Sequence, residues 1–288
     1  MKTNYDCIPC FIRQTLDSVK YATSDQRVWE TTLREVLKAV SIMDLTKSPP
    51  VMAQHVHRTI RKFSGNDDPY REIKEKYNTY MLEMYPLLKE MVENSSNCFG
   101  AALRLAIAGN IIDFGANLEV NCSVVNKTIE LSLSEELIGD IDYFNEAVCS
   151  AKSILYIGDN AGEIVFDSLL VQQLPMEKVT FVVRGNPVLN DITIIDAMST
   201  GMTELVNVID NGSDAPGTVL EDCSDRFKRY FQDADIVIAK GQGNFETLSG
   251  VDKKIFFLLK AKCHVIAQHI GCNVGDSLLL KSDLFKPE

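Results

Sequence analysis

Three short apolar runs in the second half of the chain are each followed at once by polar residues and glycines. Ile157 is followed by Gly158-Asp159-Asn160-Ala161-Gly162-Glu163, Val183 by Arg184-Gly185-Asn186-Pro187-Val188-Leu189-Asn190-Asp191, and Ala239 by Lys240-Gly241-Gln242-Gly243-Asn244-Phe245-Glu246. If the runs are strands of one parallel sheet, all three clusters lie on its carboxyl edge, where open α/β sheets bind their ligands. Asp159, Asn160 and Asp191 then bring two carboxylates and an amide together from adjacent loops. That oxygen-only set suits a hard divalent cation such as Mg²⁺ or Mn²⁺. The same residue types are ordinary helix N-caps, Asp159 or Asn160 for the helix after the first run and Asp191 for the next, and spacing leaves both readings open. Lys240, between an apolar run and Gly241-Gln242-Gly243, can neutralise a phosphate as a point charge while the glycines let backbone amides approach an anion. The alternative is a surface lysine before a tight turn. No G-x-x-x-x-G-K-[ST] loop occurs, and G-D-N-A-G-E is not the dinucleotide pattern G-x-G-x-x-G.

The first half adds further candidates. Asn110 and Asp113 interrupt an apolar region three residues apart and so share a helix face, where they either cap a helix end or face a ligand cleft. Asp68-Pro69-Tyr70 with Lys74 and Asn78 reads first as an N-cap followed by a solvated face. Cys7-Ile8-Pro9-Cys10 opens a helical pattern and is half a zinc site, a redox pair or two partly buried thiols; a second C-x-x-C is absent. His55, His57, His264 and His269 are read as structural.

The elements that must position these residues divide near residue 150. Over residues 1–150 the apolar positions recur at helical spacing. Helices are expected after a Thr23 to Gln26 capping box, from Ser48-Pro49 through Phe63, from Pro69 to about Glu93 with a bend near Pro86, from Cys98 to Asn110, and from Ser134 to Ser150. Over residues 151–288, β-branched runs (Ser153 to Ile157, Val179 to Val183, Leu205 to Ile209, Ile236 to Ala239, His264 to Ala267) alternate with amphipathic stretches (Ile164 to Leu174, Ile192 to Met198, Val219 to Phe231, Lys253 to Lys260). Such alternation predicts βα units and a parallel sheet. The fold class is therefore α/β, an α-helical N-terminal portion packed on a Rossmann-like parallel-sheet C-terminal portion, as one body.

Composition narrows the partners. The 288 residues are 45% hydrophobic and 24% charged, an ordinary globular balance. With 29 basic and 40 acidic residues the net charge is -11, which argues against broad binding to nucleic acid or an anionic membrane. The absence of a long apolar stretch or a signal-peptide pattern points to the cytoplasm. The eight cysteines are then expected as thiols or metal ligands.

Taken in order, Cys7-x-x-Cys10, Asp68-Pro69-Tyr70 with Lys74 and Asn78, Gly109-Asn110-x-x-Asp113, Gly158 to Glu163, Arg184-Gly185 through Asn190-Asp191, and Lys240 to Glu246 resemble the metal-dependent damage-control phosphatases, formerly domain of unknown function eighty-nine. The likeness is to the archaeal and bacterial branch with an N-terminal C-x-x-C. It implies a divalent metal (Mg²⁺, Mn²⁺, Co²⁺ or Ni²⁺) at Asp159, Asn160 and Asp191, and hydrolysis of small phosphorylated metabolites such as sugar phosphates or phosphopantetheine-like compounds. It further implies catalytic parts for Asp159 and Lys240, and substrate contacts from Asn110, Asp113, Arg184, Lys240, Gly241, Asn244 and Glu246. Cys7 and Cys10 are a possible second metal or redox site. The alternatives are an S-adenosylmethionine-dependent carboxyl methyltransferase and a non-catalytic protein that binds a phosphorylated metabolite.

Overall fold

The computed structural model describes residues 1–109, 129 and 131–285. Helices α1 (Cys7–Ala22), α2 (Gln26–Ser41), α3 (Pro49–Ser64), α4 (Arg71–Glu93) and α5 (Cys98–Ala108) precede the sheet. There follow β1 (Leu137–Ile138), α6 (Ile141–Ser150), β2 (Ile154–Ile157), α7 (Glu163–Val171), β3 (Val179–Val183), α8 (Ile194–Ser199), α9 (Met202–Leu205) and β4 (Asn207–Asp210). The chain continues through α10 (Asp225–Asp233), β5 (Ile236–Lys240), α11 (Gly241–Leu248), β6 (Ile255–Lys260), α12 (His264–Ile270) and β7 (Ser277–Lys281). Among the described residues no helix is long and apolar enough to cross a membrane.

The seven strands form one sheet in the order β1-β7-β6-β5-β2-β3-β4. The five from β6 to β4 run parallel, β7 is antiparallel to β6, and β1 is parallel to β7. Side chains alternate across the sheet, as a period of two requires. Ile154 and Tyr156 join the core shared with α4, α5, α6 and α7, while Leu155 and Ile157 join the core under α10, α11 and α12. Helices on both faces leave the central strands buried, so β2 is apolar throughout and β5 is apolar up to the buried Lys240 that ends it.

Several expected elements differ. The stretch from Lys253 to Lys260 holds strand β6, not a helix: Ile255 to Lys260 are buried on both faces, and a continuous apolar run carries no period to read. The run from His264 to Ala267 is helix α12, and the last strand lies further on, at Ser277–Lys281. The helix expected from Ser134 to Ser150 is broken. Gly139, at φ 147°, passes so close to β7 that a Cβ would lie 2.3 Å from the Leu279 carbonyl, and Asp140 restarts the helix by accepting from Tyr143 N at 2.9 Å. At α2 the cap is Asp25, which accepts from Arg27 N. Pro86 lies inside α4 without ending it.

Helices α1 to α3 form their own apolar cluster. A polar latch ties them to the loop after β4. Gln54 donates to Asp214 Oδ1 and Asp222 Oδ2 at 2.7 Å each, Arg58 Nη2 meets Asp214 Oδ1 at 2.6 Å, and Arg61 pairs with Asp214 and donates to the Pro187 carbonyl at 2.8 Å. His57 is buried beside this latch, and its Nε2 has no hydrogen-bond partner among the described residues. Burial, reinforced by Arg61, pushes its pKa down to about 3. The neutral imidazole is therefore the native form. Unfolding lets it take a proton near its ordinary 6.5, so its contribution to stability should fall by about 1.4 kcal/mol per pH unit from there down to about pH 3. Urea midpoints across that window should fall in the wild type relative to His57→Leu as the pH falls; parallel curves would contradict a buried neutral imidazole.

Candidate active site

Strand β2 has β3 on one side and β5 on the other, and the chain winds outward in both directions from this pair. Their carboxyl ends therefore form the switch-point crevice of the sheet. The loops after β2 and β3 are zipped together there. Gly158 N donates to the Val182 carbonyl at 3.0 Å, Ile192 N to the Asp159 carbonyl at 2.9 Å, and Ala161 N to the Asn190 carbonyl at 2.8 Å, around a bridge between Asn160 and Asp191. This backbone pairing gathers Asp159, Asn160 and Asp191. None of the three is a cap: α7 has Gly162 at its N-cap and no side-chain cap, and α8 is opened by a capping box of Thr193 and Asp196.

Asp191 is buried, and Asp159 keeps 13% of its side chain exposed. Arg184 lies beneath both, donating from Nε to Asp191 Oδ2 at 2.7 Å and from Nη2 to Asp159 Oδ1 at 3.4 Å. Asn160 Nδ2 donates to Asp159 Oδ2 at 2.7 Å and to Glu163 Oε2 at 3.0 Å. With both amide hydrogens so engaged, its oxygen is what remains for a cation. Burial, and then the charges of Asp191 and Glu163, raise the Asp159 carboxyl to about 7 despite Arg184. Asp191 is also raised by burial, against the pull of Arg184. Two carboxylates thus share one guanidinium in a site where burial disfavours their charge.

Among the described residues no group of three or more histidine, cysteine, aspartate or glutamate side chains is arranged to hold a metal ion. Asp159, Asn160 and Asp191, two carboxylates and an amide, are the residues that could hold a hard divalent cation such as Mg²⁺, which commonly keeps several waters.

Gly241, at φ 78°, sits against Asp159: a Cβ there would lie 2.0 Å from Asp159 Oδ2. The space that its missing side chain leaves is thus taken by a carboxylate. Gly241→Ala is expected to cost roughly 1–2 kcal/mol for the left-handed backbone alone and to displace Asp159, which denaturation curves and a structure of the variant would read separately.

Beneath this layer Lys240 is fully buried. Its ammonium contacts Glu163 Oε1 at 2.6 Å, Asp167 Oδ1 at 2.5 Å and the Ala106 carbonyl at 2.7 Å. All three of its hydrogens are engaged, so its charge reaches the crevice through Glu163 and Asn160, and the surface-lysine alternative is ruled out by burial. Burial opposes the ammonium, but the two carboxylates more than offset it and its pKa rises. Asp167 is pushed up to about 6 by burial, partly offset by Lys240, and its Oδ1 also accepts from Tyr156 OH at 2.8 Å. Sequence reasoning passed over Asp167. Its one signal is an acidic residue inside the apolar helical stretch EIVFDSLLV.

The other expected residues are spread more widely. Asn244 is buried next to Arg184 and spends its side chain on the Lys240 and Gly158 carbonyls, Thr218 and Arg184. Arg184 and Asn244 therefore lie below the carboxylates and hold them, instead of lining the crevice. Glu246 is not in the cluster: it accepts from Gln242 at 2.8 Å, its backbone carbonyl receives the Met1 amino group at 2.7 Å, and burial raises it to about 7. Cys7 and Cys10 begin α1, free of disulfides, and burial raises the Cys7 thiol, which disfavours the thiolate that metal binding or exchange needs. Asn110 and Asp113 lie outside the described residues. Lys74 and Asn78 are buried rather than solvated, each 3% exposed, and both reach Asp196 in α8.

The sequence profile of the damage-control phosphatase ARMT1-like domain matches residues 3–278. An uncharacterized protein of Methanocaldococcus jannaschii is 36% identical over 98% of this chain and 96% of its own length. A damage-control phosphatase of Archaeoglobus fulgidus is 34% identical over 96% and 98% of the two chains. The crystal structure of a DUF89 family protein from Pyrococcus horikoshii superposes with a TM-score of 0.87 at 32% identity, covering 98% of this chain and 99% of that one. The geometry of the crevice and these likenesses agree: the chain belongs to the damage-control phosphatase ARMT1-like domain family.

Proposed function

We propose that the protein is a divalent-metal-dependent phosphatase that hydrolyses phosphate monoesters of small metabolites, sugar phosphates or phosphopantetheine-like compounds, in a damage-control role. The observation that carries this reading is the meeting of Asp159, Asn160 and Asp191 at the switch point, with Asp159 raised to about 7 by burial and then by the charges of Asp191 and Glu163. The names of the Archaeoglobus and Pyrococcus relatives, both damage-control phosphatases, support it.

In this reading Asp159, Asn160 and Asp191 hold the ion. When bound, a divalent cation supplies polarisation of a phosphoryl oxygen and acidification of a water. The chain's own residues prepare the site for it. Arg184 holds the carboxylates of Asp191 and Asp159 in place from below. Glu163, paired with Lys240, accepts one amide hydrogen of Asn160 and thereby orients the amide. The start of α11, the positive end of a helix, abuts Asp159 through Gly241 and favours its charged form. Such preorganisation is the protein's part in phosphoryl transfer, where positioning and electrostatics outweigh covalent chemistry.

The test is phosphate release from a panel of phosphorylated metabolites, with and without Mg²⁺, Mn²⁺, Co²⁺ or Ni²⁺. Release that requires an added ion supports the proposal. Release undiminished in a chelator overturns the metal dependence, and tight binding without release would make the protein a metabolite sensor.

A further inference from the structure

Backbone bonds zip the two candidate cation-binding loops together at the sheet; on the side of the helical half, among the described residues, the side chain of Asn78 joins them. Asn78, in α4, accepts from Gly162 N through Oδ1 at 2.7 Å and donates from Nδ2 to Asp196 Oδ1 at 2.9 Å. Gly162 is the turn between Asn160 and α7. Asp196 uses its other oxygen to accept from Thr193 N and Thr193 Oγ1, both at 2.8 Å, which fixes the backbone just after Asp191. Lys74, one turn before Asn78, contacts Asp196 at 3.6 Å and Asp68 at 2.9 Å and offsets part of their charge.

The polarity of this link is determined at both ends. A backbone N–H can only donate and a carboxylate can only accept, so the bridging group must offer an acceptor to one and a donor to the other. An amide does so in one orientation, and a flipped amide would set donor against donor and acceptor against acceptor. Buried polar groups of this kind are costly to leave unmatched, so the side chain is held rigidly.

We propose that Asn78 is a positioning residue that sets the separation between the Asp159-Asn160 loop and Asp191, and with it the affinity of the site for its divalent cation. The inference rests on the metal reading of those three residues given above.

The probe is Mn²⁺ alone, titrated into the metal-free full chain by calorimetry or electron paramagnetic resonance. Asn78→Asp sets a carboxylate against Asp196, and Asp196→Asn sets an amide NH₂ against that of Asn78. Each single variant is expected to weaken Mn²⁺ binding roughly 10–100-fold, the usual effect of losing a group that orients a ligand. The double variant N78D/D196N reverses donor and acceptor, keeps the Thr193 and Gly162 bonds and restores the net charge, so it should recover most of the lost affinity. A general packing defect would not be repaired by this exchange, and melting curves of all four proteins show which are folded. Single variants that bind Mn²⁺ like the wild type, or a double variant no better than its parents, overturn the positioning role. A wild type that takes up no Mn²⁺ overturns the metal reading instead, whereas Mn²⁺ binding abolished by Asp159→Asn but untouched by Asn78→Asp overturns this inference alone.

Discussion

Replacing Asp159 with asparagine is expected to lower metal-dependent phosphate release by about a thousandfold while leaving the metal-free protein at least as stable as the wild type. The first effect follows from removing one of two anionic ligands: a bound ion contributes several kcal/mol to stabilising the transition state, and ~4 kcal/mol is a factor of a thousand. The second follows from the raised pKa of Asp159. Burial and the nearby Asp191 and Glu163 lift it from 3.8 to about 7. The folded chain therefore binds that proton more tightly than the unfolded one, and the group's contribution to stability is present at low pH and lost as the pH rises through about 7. At neutral pH its charge works against folding when no cation is bound, and asparagine removes that opposition. Phosphate release with Mn²⁺ and a melting curve in chelator measure the two effects. Full metal-dependent activity in the variant would refute the ligand assignment, and a large fall in melting temperature would make Asp159 a structural residue.

Lys240→Met is expected to show the opposite pattern, destabilising the fold before it touches chemistry. Lys240 is enclosed with Glu163 and Asp167, neither of which reaches solvent. Removing the cation of a buried ionic group costs about 3–5 kcal/mol because the carboxylates are left uncompensated. At roughly 2–4 °C per kcal/mol for a chain of this size, the melting temperature should fall by on the order of 10 °C. A lysine that met only substrate phosphate would leave it unchanged. Restored melting in the double variant Lys240→Met with Glu163→Gln would trace the loss to the uncompensated charge.

Much of the fold could be read from the residues because it rests on local patterns. The βα alternation from residue 153 onward located β2, β3, β4 and β5, and Ser48 with Pro49 marked the start of α3. The errors fell where local pattern is silent. Strand β6 is apolar without a period because both its faces are covered, and β1 is two residues long, stabilised by pairing with β7 far along the chain.

At the site, residue types and the rule that ligands gather at the carboxyl ends of parallel strands were enough to single out Asp159, Asn160, Asp191 and Lys240. Whether the first three were helix caps or a cluster was decided by the bridge between Asn160 and Asp191, a long-range backbone pairing with no local signature. Burial decided the rest. It turned Arg184 and Asn244 into supports beneath the carboxylates, made Lys240 the counter-charge of Glu163 and Asp167, and converted Lys74 and Asn78 from an expected solvated face into a link between loops. A sequence specifies which groups can carry charge or donate a hydrogen bond; which of them lose their water, and whom they then face, depends on packing between segments more than a hundred residues apart, as between Asn78 and Asp196.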